Sequence, residues 1–193
     1  RISFKFNKKN LFGYIGDTLA SALLANNQVL IGRSFKYHRP RGFVSSGVEE
    51  PNALVSLGIG GSFEPNRSAT TVELFDGVEA ISQNHFGSLE WDIGSINNLI
   101  SKIFPAGFYY KTFINPRFAW KHIFEPTIRS AAGLGKAPKE EDVSFYDYFY
   151  AHFDIVIVGG GITGLVAAKN FAKLGLRILL AEQKHFLGGY ALS

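Results

Sequence analysis

The sequence of 193 residues contains no cysteine and no methionine. The absence of cysteine excludes disulfide bonds, a thiolate nucleophile and Cys-ligated zinc, and it predicts that no iron–sulfur cluster is bound. No run of about 18 apolar residues occurs, which argues against a membrane span, and the N-terminus lacks the apolar core of a signal peptide. We therefore expect a cytoplasmic protein with no membrane contact. Because the initiator methionine is absent, we also expect a piece of a longer or processed protein.

Histidines and basic residues are the next candidates for a site. No two of the five histidines have the i, i+4 spacing that places two metal ligands on one helix face, so no metal site is predicted. The formal net charge of +4 includes a local excess of basic residues among aromatic side chains, at Arg33, Lys36, Arg39 and Arg41. Such a segment can bind single-stranded nucleic acid, but its footprint is small beside a domain-wide basic face. We favour a loop that faces an anion or a partner subunit, and we predict no nucleic-acid binding.

The N-terminal half combines short strand-like segments with one helix-like segment. Residues 2–6 alternate apolar and polar side chains like a half-buried strand, and residues 11–15 can return as the second strand of a hairpin. Asp17 or Thr18 can cap a following helix. Further strands are predicted at residues 29–31, 53–59 and 70–75. This order predicts a small α+β domain that reaches to about residue 90.

The middle of the chain changes in composition. Residues 96–132 contain helix-like segments crowded with aromatic side chains, which we attribute to packing between domains because aromatics bury a large area whatever they contact. Residues 133–142 are polar and rich in glycine, proline and charge, as exposed connectors are, so a domain junction is expected there. The predicted domains are residues 1–94, a helical and aromatic-rich connector at residues 95–150, and residues 151–193.

A glycine-rich turn follows a run of β-branched residues near the end of the sequence. Residues 154–158 resemble a parallel strand that is covered on both faces. They lead directly into Gly159, Gly160, Gly161, Ile162, Thr163 and Gly164. In a G-x-G-x-x-G turn the first glycine permits the strand-to-helix reversal, the second lets backbone approach a pyrophosphate, and the third lets helix and strand pack closely. The helix predicted at residues 165–174 would point its N-terminal amides at the phosphates.

A second apolar strand, at residues 176–181, delivers Glu182 about 20 residues after the middle glycine, the separation expected for the acid that binds ribose hydroxyls. A carboxylate repels the 2′-phosphate of NADP, so NAD or FAD is predicted instead. The doublet of Gly188 and Gly189 again brings backbone near the ligand and does not separate FAD from NAD. The chain therefore supplies the first strand–helix–strand unit of an α/β Rossmann domain, and we expect more strands downstream.

Several longer motifs outside the glycine turn can be compared with known families. They are residues 16–25, 32–42, 47–53, 105–112, 125–126, 131–135 and 151–152. Together they resemble the alpha subunits of heterotetrameric sarcosine oxidases. The resemblance covers nearly the whole chain, and motifs of this length are far more specific than a glycine turn.

The resemblance implies an N-terminal domain similar to the β-grasp fold of plant-type ferredoxins. Relatives such as hydrogen cyanide synthase and opine oxidase subunits hold a two-iron cluster in that domain. Residues 41–50 occupy the stretch where those relatives place cysteines, and this stretch contains none. We therefore expect an α+β β-grasp domain without an iron–sulfur cluster, which favours the sarcosine oxidase branch.

The resemblance also implies cofactors. It assigns NAD, with FAD as the alternative occupant, to the Rossmann unit of this chain. The residues implied for NAD are Gly160, Gly161, Ile162, Thr163, Glu182, Gln183, Gly188 and Gly189. Elsewhere in the complex, a beta subunit would carry FAD and the sarcosine site, and FMN would lie at the interface of the alpha and beta subunits.

The implied reaction oxidises the N-methyl group of sarcosine and passes electrons through flavins to oxygen. Its products are glycine, hydrogen peroxide and a one-carbon unit that tetrahydrofolate captures in a downstream region of the alpha subunit. The implied partners are the beta, gamma and delta subunits. No catalytic acid, base or nucleophile is assigned to this chain, so we do not expect it to be active alone. The alternatives are a cofactor-binding subunit of an opine, proline or related amine dehydrogenase, and a scaffold whose dinucleotide is structural.

Overall fold

The computed structural model describes residues 1–99, 115–131 and 133–192. The chain divides into two compact units, Arg1–Ser144 and Phe145–Ser193. Residues 100–114 and 132 of the aromatic-rich stretch that the sequence predicts to be helical, residues 96–132, lie outside the described residues. Within the described ranges, no helix is both long enough and apolar enough to cross a membrane.

The first unit is built on a mixed sheet of five strands. The strands in chain order are β1 (Ile2–Phe6), β2 (Lys9–Gly13), β3 (Gly32–Arg33), β4 (Pro40–Arg41), β5 (Leu54–Leu57), β6 (Glu64–Ser68) and β7 (Glu79–Ser82). The sheet order is β2-β1-β7-β5-β6, and β3 and β4 form a separate hairpin. In this sheet β1 pairs with the central strand β7 in parallel, and the other neighbouring strands are antiparallel. This mixed sheet with one packed helix is the α+β arrangement that the sequence predicts.

The core forms where alternating strand residues meet the apolar face of helix α1 (Leu19–Ala25). Strand β1 alternates buried and exposed residues along its whole length, which places Phe4 and Phe6 on one face of the sheet. Leu19 and Leu23 of α1 are fully buried in the same cluster. Thr18 caps the helix, because its hydroxyl accepts a hydrogen bond from the Ser21 amide while the Ser21 hydroxyl accepts one from the Thr18 amide.

Several predicted strand boundaries are wrong, for identifiable reasons. Strand β2 begins at Lys9 because Asn7 and Lys8, both with positive φ, form the hairpin turn. Residues 70–75 bury Val72 and Leu74 but pair with the start of α1 and not with the sheet. Residues 29–31 are not a strand, and the short strand begins at Gly32 instead. The sequence analysis also missed the strands β4, β6 and β7. Strand β6 is a polar edge strand that contains a proline, which edge strands tolerate.

A helical segment and a connector follow in the first unit. Among the described residues of this unit, further α-helices are α2 (Ile96–Leu99), α3 (Arg117–Ala119) and α4 (Glu125–Ala131), and a π-helical segment (Trp120–Phe124) joins the last two. The connector at residues 133–142 is tied to the sheet. The amide of Gly135 donates to Asn66 Oδ1 at 2.9 Å, and Gln83 Nε2 donates to the Gly133 carbonyl at 3.2 Å. These bonds hold the start of the connector against β6 and the residues after β7.

The second unit contains β8 (Ile155–Val158), α5 (Ile162–Ala172) and β9 (Ile178–Ala181) in the order that the sequence predicts. Strands β8 and β9 pair in parallel from Ile155 opposite Ile178 to Val158 opposite Ala181. Gly175, with φ +75°, lies just after the helix and donates to the Ala172 carbonyl at 3.1 Å. The glycine ends the helix in the left-handed conformation that glycine adopts without a steric penalty.

Candidate functional site

The turn between β8 and α5 depends on glycine at two positions. Gly159 has φ +103°, a conformation that side chains with a Cβ atom rarely adopt. Its amide donates to the Ala181 carbonyl at 2.8 Å, which fixes the end of β8 against β9. A Cβ atom on Gly164 would collide with the carbonyl oxygen of Gly159. The helix can therefore start close to the strand end only because Gly164 has no side chain.

The N-terminus of α5 is open. Gly161 is the N-cap residue, and no side chain caps the first amides of this eleven-residue helix. A Cβ atom added to Gly161 would meet no atom within 4 Å. Ile162 and Thr163, the first two helical residues, are exposed. Uncapped amides and the positive end of the helix dipole favour an anion such as a phosphate at this place.

Glu182 reaches the glycine turn from the end of β9. Its Oε2 accepts a hydrogen bond from the Gly160 amide at 2.6 Å, and its Oε1 accepts one from the Lys184 amide at 2.9 Å. The Lys184 amide, followed by the Gly160 amide, holds the pKa of Glu182 below its ordinary value. The carboxylate is therefore ionised at neutral pH and fixed beside the turn, where it can accept hydrogen bonds from hydroxyl groups of a ligand.

The second glycine pair closes on the same turn. The Gly188 amide donates to the Gly160 carbonyl at 2.8 Å, and Gly188 pairs with Gly161 in a parallel bridge. A Cβ atom on Gly189 would lie 3.3 Å from Gly161 Cα, which is tighter than ordinary contact. The backbone of the second glycine pair thus lies directly against the first turn.

The structure brings the predicted site residues together. The glycine turn at residues 159–164, Glu182 and the second glycine pair form one cluster, and the exposed Gln183 follows Glu182 along the chain. Sequence reasoning missed Leu187. Its side chain lies so close to Gly160 that a Cβ atom at position 160 would collide with it. The available signal was its position directly before the second glycine pair. Among the described residues, no group of three or more His, Cys, Asp and Glu side chains could hold a metal ion.

Comparisons with known proteins identify relatives of both units. Residues 1–85 match the family model described as a 2Fe-2S iron-sulfur cluster binding domain, and residues 154–193 match that of FAD dependent oxidoreductases. The chain is 52% identical over 192 residues to sarcosine oxidase subunit alpha of Rhizobium meliloti (strain 1021), a match that covers 100% of this chain and 20% of that protein. The same subunit of Corynebacterium sp. (strain U-96) is 32% identical over 184 residues, covering 94% of this chain and 14% of that protein.

Among solved structures, L-proline dehydrogenase from P. horikoshii gives a TM-score of 0.41 at 20% identity, covering 97% of this chain and 25% of that chain. The chain spans a fifth or less of the length of the curated relatives described above. Their identity extends over nearly all of this chain, so the resemblance to sarcosine oxidase alpha subunits is confirmed, for the N-terminal part of that subunit.

The prediction that no iron–sulfur cluster is involved is corrected by these comparisons. Residues 1–85 match a family model that is described as a 2Fe-2S iron-sulfur cluster binding domain. The mixed sheet of the first unit and this match agree on a ferredoxin-like, β-grasp domain. The residues present do not fit a cluster of the usual kind, because the sequence has no cysteine to ligate iron. The prediction rested on cysteine content, which does not report the family to which a domain belongs.

Proposed function

We propose that this chain, which is homologous over its whole length to sarcosine oxidase alpha subunits, is the dinucleotide-binding part of such a subunit. One observation carries the proposal. The ionised Glu182 is hydrogen-bonded to the Gly160 amide at 2.6 Å, immediately beside the uncapped start of α5. An acid for a ribose and amides for a pyrophosphate thus lie side by side, as in the first unit of a Rossmann domain.

NAD is the dinucleotide that we propose. It presents a pyrophosphate, an adenosine ribose with a free 2′-hydroxyl, and a nicotinamide that can accept hydride. The amides at Ile162 and Thr163 would hold the pyrophosphate, because no side chain competes for them. The Glu182 carboxylate would accept hydrogen bonds from the ribose hydroxyls and would repel a 2′-phosphate. Gly161, Gly188 and Gly189 would let backbone approach the ligand because none of them carries a side chain.

FAD is the second candidate ligand. The match of residues 154–193 to the FAD dependent oxidoreductase family favours it. FAD shares the adenosine and pyrophosphate of NAD, so the same residues would make the same contacts. Denaturing the purified full-length subunit and identifying the released cofactor by chromatography and absorbance separates the two. Release of NAD supports the first candidate, release of FAD the second, and release of neither contradicts a tightly bound dinucleotide.

Substitution of Gly161 by alanine tests the phosphate position without disturbing the fold. Gly161 has φ −71°, which alanine adopts freely, and the added methyl group meets no protein atom within 4 Å. We expect the midpoint of thermal unfolding to change little, because the restriction of the unfolded chain by alanine offsets its weaker preference for the N-cap position. We expect dinucleotide affinity to fall at least about tenfold, because the methyl group occupies the space that the pyrophosphate needs. Unchanged affinity, measured by calorimetry, would place the phosphates elsewhere.

We further propose that the complete enzyme oxidises sarcosine together with partner subunits that carry flavin. The support is the sequence identity to the alpha subunits of sarcosine oxidases, which are oxidoreductases. The proposed products are glycine, hydrogen peroxide and a one-carbon unit for tetrahydrofolate. The described residues of this chain would bind and orient the dinucleotide, and none of them is proposed as a catalytic acid or base.

A further inference from the structure

The hairpin of β3 and β4 in the first unit, called here the basic hairpin (residues 32–41), is strongly cationic. Residues 18–48 contain no aspartate or glutamate, whereas the hairpin carries Arg33, Lys36, Arg39 and Arg41. The strands pair Gly32 with Arg41 and Arg33 with Pro40. The proposed dinucleotide site lies in the second unit and makes no use of this hairpin.

The inner side of the basic hairpin is fixed to the loop at residues 86–94. The guanidinium of Arg33 donates to the carbonyls of Leu89 (2.7 and 2.9 Å), Glu90 (2.8 Å) and His38 (3.2 Å). The buried His38 lies 2.6 Å from Asp92, measured from Nδ1 to Oδ2. With these bonds formed, the hairpin presents its outer side in one conformation, and Arg33 is used internally.

The tip of the basic hairpin is also closed by short-range bonds. The Ser34 amide donates to the Arg39 carbonyl at 2.9 Å, and the Arg39 amide donates to Ser34 Oγ at 3.0 Å. The His38 amide donates to the Ser34 carbonyl at 2.8 Å. Residues 34–39 are therefore a well-defined turn and not an open loop.

The outer side presents cations and an aromatic residue to solvent. The exposed Arg39 stacks on the Tyr37 ring at 4.8 Å from the centroid, and its Nε donates to Asn98 Oδ1 at 2.7 Å. In the part of the chain that the structure describes, neither Arg39 nor the exposed Arg41 pairs with a carboxylate. Arg39 closes the turn and Arg41 lies on β4, and both residues are exposed. Phe35 at the tip is 59% exposed.

We propose that this outer face, formed by Phe35, Arg39 and Arg41, docks onto an acidic surface of a partner subunit. The inference rests on the proposed function, because it takes the partner from a multisubunit oxidase. Arginine and aromatic residues supply most hot spots of protein interfaces. The closed tip and the stacked Arg39 reduce the entropy that docking would cost. One hairpin is too small a surface for general nucleic-acid binding. Its size is instead that of the central cluster of residues in a protein interface.

The test is charge reversal in the full-length subunit co-expressed with its partner subunits. In Arg39→Glu combined with Arg41→Glu, we expect the dissociation constant of subunit assembly to rise about tenfold or more at low salt, because like charges then face each other. The matched control is Lys169→Glu with Lys173→Glu, which reverses two exposed cations, one in α5 and one directly after it. Sedimentation at several salt concentrations measures assembly. Unchanged assembly in the double arginine variant overturns the proposal.

Two further measurements keep the outcome unambiguous. The milder double variant Arg39→Gln with Arg41→Gln should keep its thermal unfolding midpoint and weaken assembly by an intermediate factor. If this variant is folded and assembles normally, the proposal is overturned. Binding of a fluorescent single-stranded DNA is measured as well. If the unaltered subunit binds it and both double variants lose this binding while they still assemble, the face is assigned to nucleic acid instead. The dinucleotide content of every variant is measured in parallel. If the unaltered subunit contains no dinucleotide, the proposed function is contradicted. If it contains dinucleotide and the variants assemble normally, only the docking surface is contradicted.

Discussion

Hydrogen-bonded carboxylates fix the loops of both units at the scale of single residues. In the second unit, Glu182 joins the end of β9 to the glycine turn. In the first unit, the buried Glu50 accepts the amides of Val44 (2.6 Å) and Ser45 (2.8 Å) on Oε2 and that of Asn52 (2.8 Å) on Oε1. A carboxylate that accepts several backbone hydrogen bonds stays ionised and orders the loop around it.

Substitution of Glu182 by arginine should reverse the preference between the two nicotinamide dinucleotides. The variant removes the acceptor of the ribose hydroxyls and introduces a cation that can pair with a 2′-phosphate. We expect weaker NAD binding and stronger NADP binding, measured by calorimetry with each ligand. Lys184→Ala, next to the site, is the control and should leave the preference unchanged. If Glu182→Arg kept the original preference, the role given to Glu182 would be wrong.

Substitution of Glu50 by glutamine should destabilise the first unit by about 1–3 kcal/mol. Glutamine keeps one accepting oxygen, but its NH2 group can only donate, so the side chain cannot accept all three backbone hydrogen bonds. Glu49→Gln is the matched control, since the neighbouring Glu49 is exposed and should contribute little. Chemical denaturation of both variants measures the difference. Equal stability of the two variants would show that the bonds to Glu50 contribute nothing.

The same carboxylate gives a pH dependence. Burial alone would raise the pKa of Glu50, but the amides of Ser45, Val44 and Asn52 outweigh it and hold the pKa below its ordinary value. A lowered pKa contributes stability that is fully present above the unfolded value of about 4.3 and is lost as the pH falls through the folded pKa. The loss of unfolding free energy between neutral pH and acid should therefore be smaller in Glu50→Gln than in the unaltered chain.

At the scale of elements, short local signals set where helices begin and end. Helix α1 begins after Thr18, one of the two residues that the sequence offers as a cap. Helix α5 begins three residues before the predicted start because the glycine turn itself leads into its first turn. Pro126 is the second residue of α4, which directly follows the π-helical segment, and the helix continues through it to Ala131.

Substitution of Thr18 by alanine should lower the stability of the first unit by about 0.5–2 kcal/mol, because the Ser21 amide loses the side chain that caps it. Thr18→Ser retains the hydroxyl and should recover most of the loss. Denaturant unfolding of the two variants tests this. A serine variant as unstable as the alanine variant would mean that packing of the threonine methyl, and not the cap, is responsible.

At the scale of the whole molecule, the chain joins a ferredoxin-like unit to a strand–helix–strand unit that matches FAD dependent oxidoreductases. The first unit has its own buried core of apolar side chains from β1, α1 and β5. Glu182 and Glu50 accept backbone hydrogen bonds, whereas Glu79 and Asp154 form ion pairs with Lys5 and Arg177.

The reaction is tested on the complete complex. We expect the co-expressed subunits to produce hydrogen peroxide from sarcosine and oxygen, measured with a peroxidase-coupled assay. Proline and an opine are the control substrates, because a proline, opine or amine dehydrogenase subunit is the alternative that the sequence leaves open. A complex that oxidises either control while it ignores sarcosine, or that passes electrons only to a carrier, would contradict the proposed reaction.

The sequence by itself determined the features that depend on neighbours along the chain. It located β1 and α1, the glycine turn, the order of β8, α5 and β9, and the acid at the end of β9, since each of these follows from hydrophobic period, capping or glycine spacing. It misplaced β2 and the strand at residues 70–75. Apolar alternation shows that residues are buried, but it does not show which strand or helix they pair with.

The tertiary structure decided the contacts between distant parts of the chain. Asp92 meets His38 across 54 residues, and Arg33 reaches the Leu89 carbonyl across 56. Such pairs depend on the path of the backbone through the sheet order β2-β1-β7-β5-β6. Local spacing carries no information on that path, because a hydrogen bond or ion pair forms only between groups that the whole fold brings within about 3 Å.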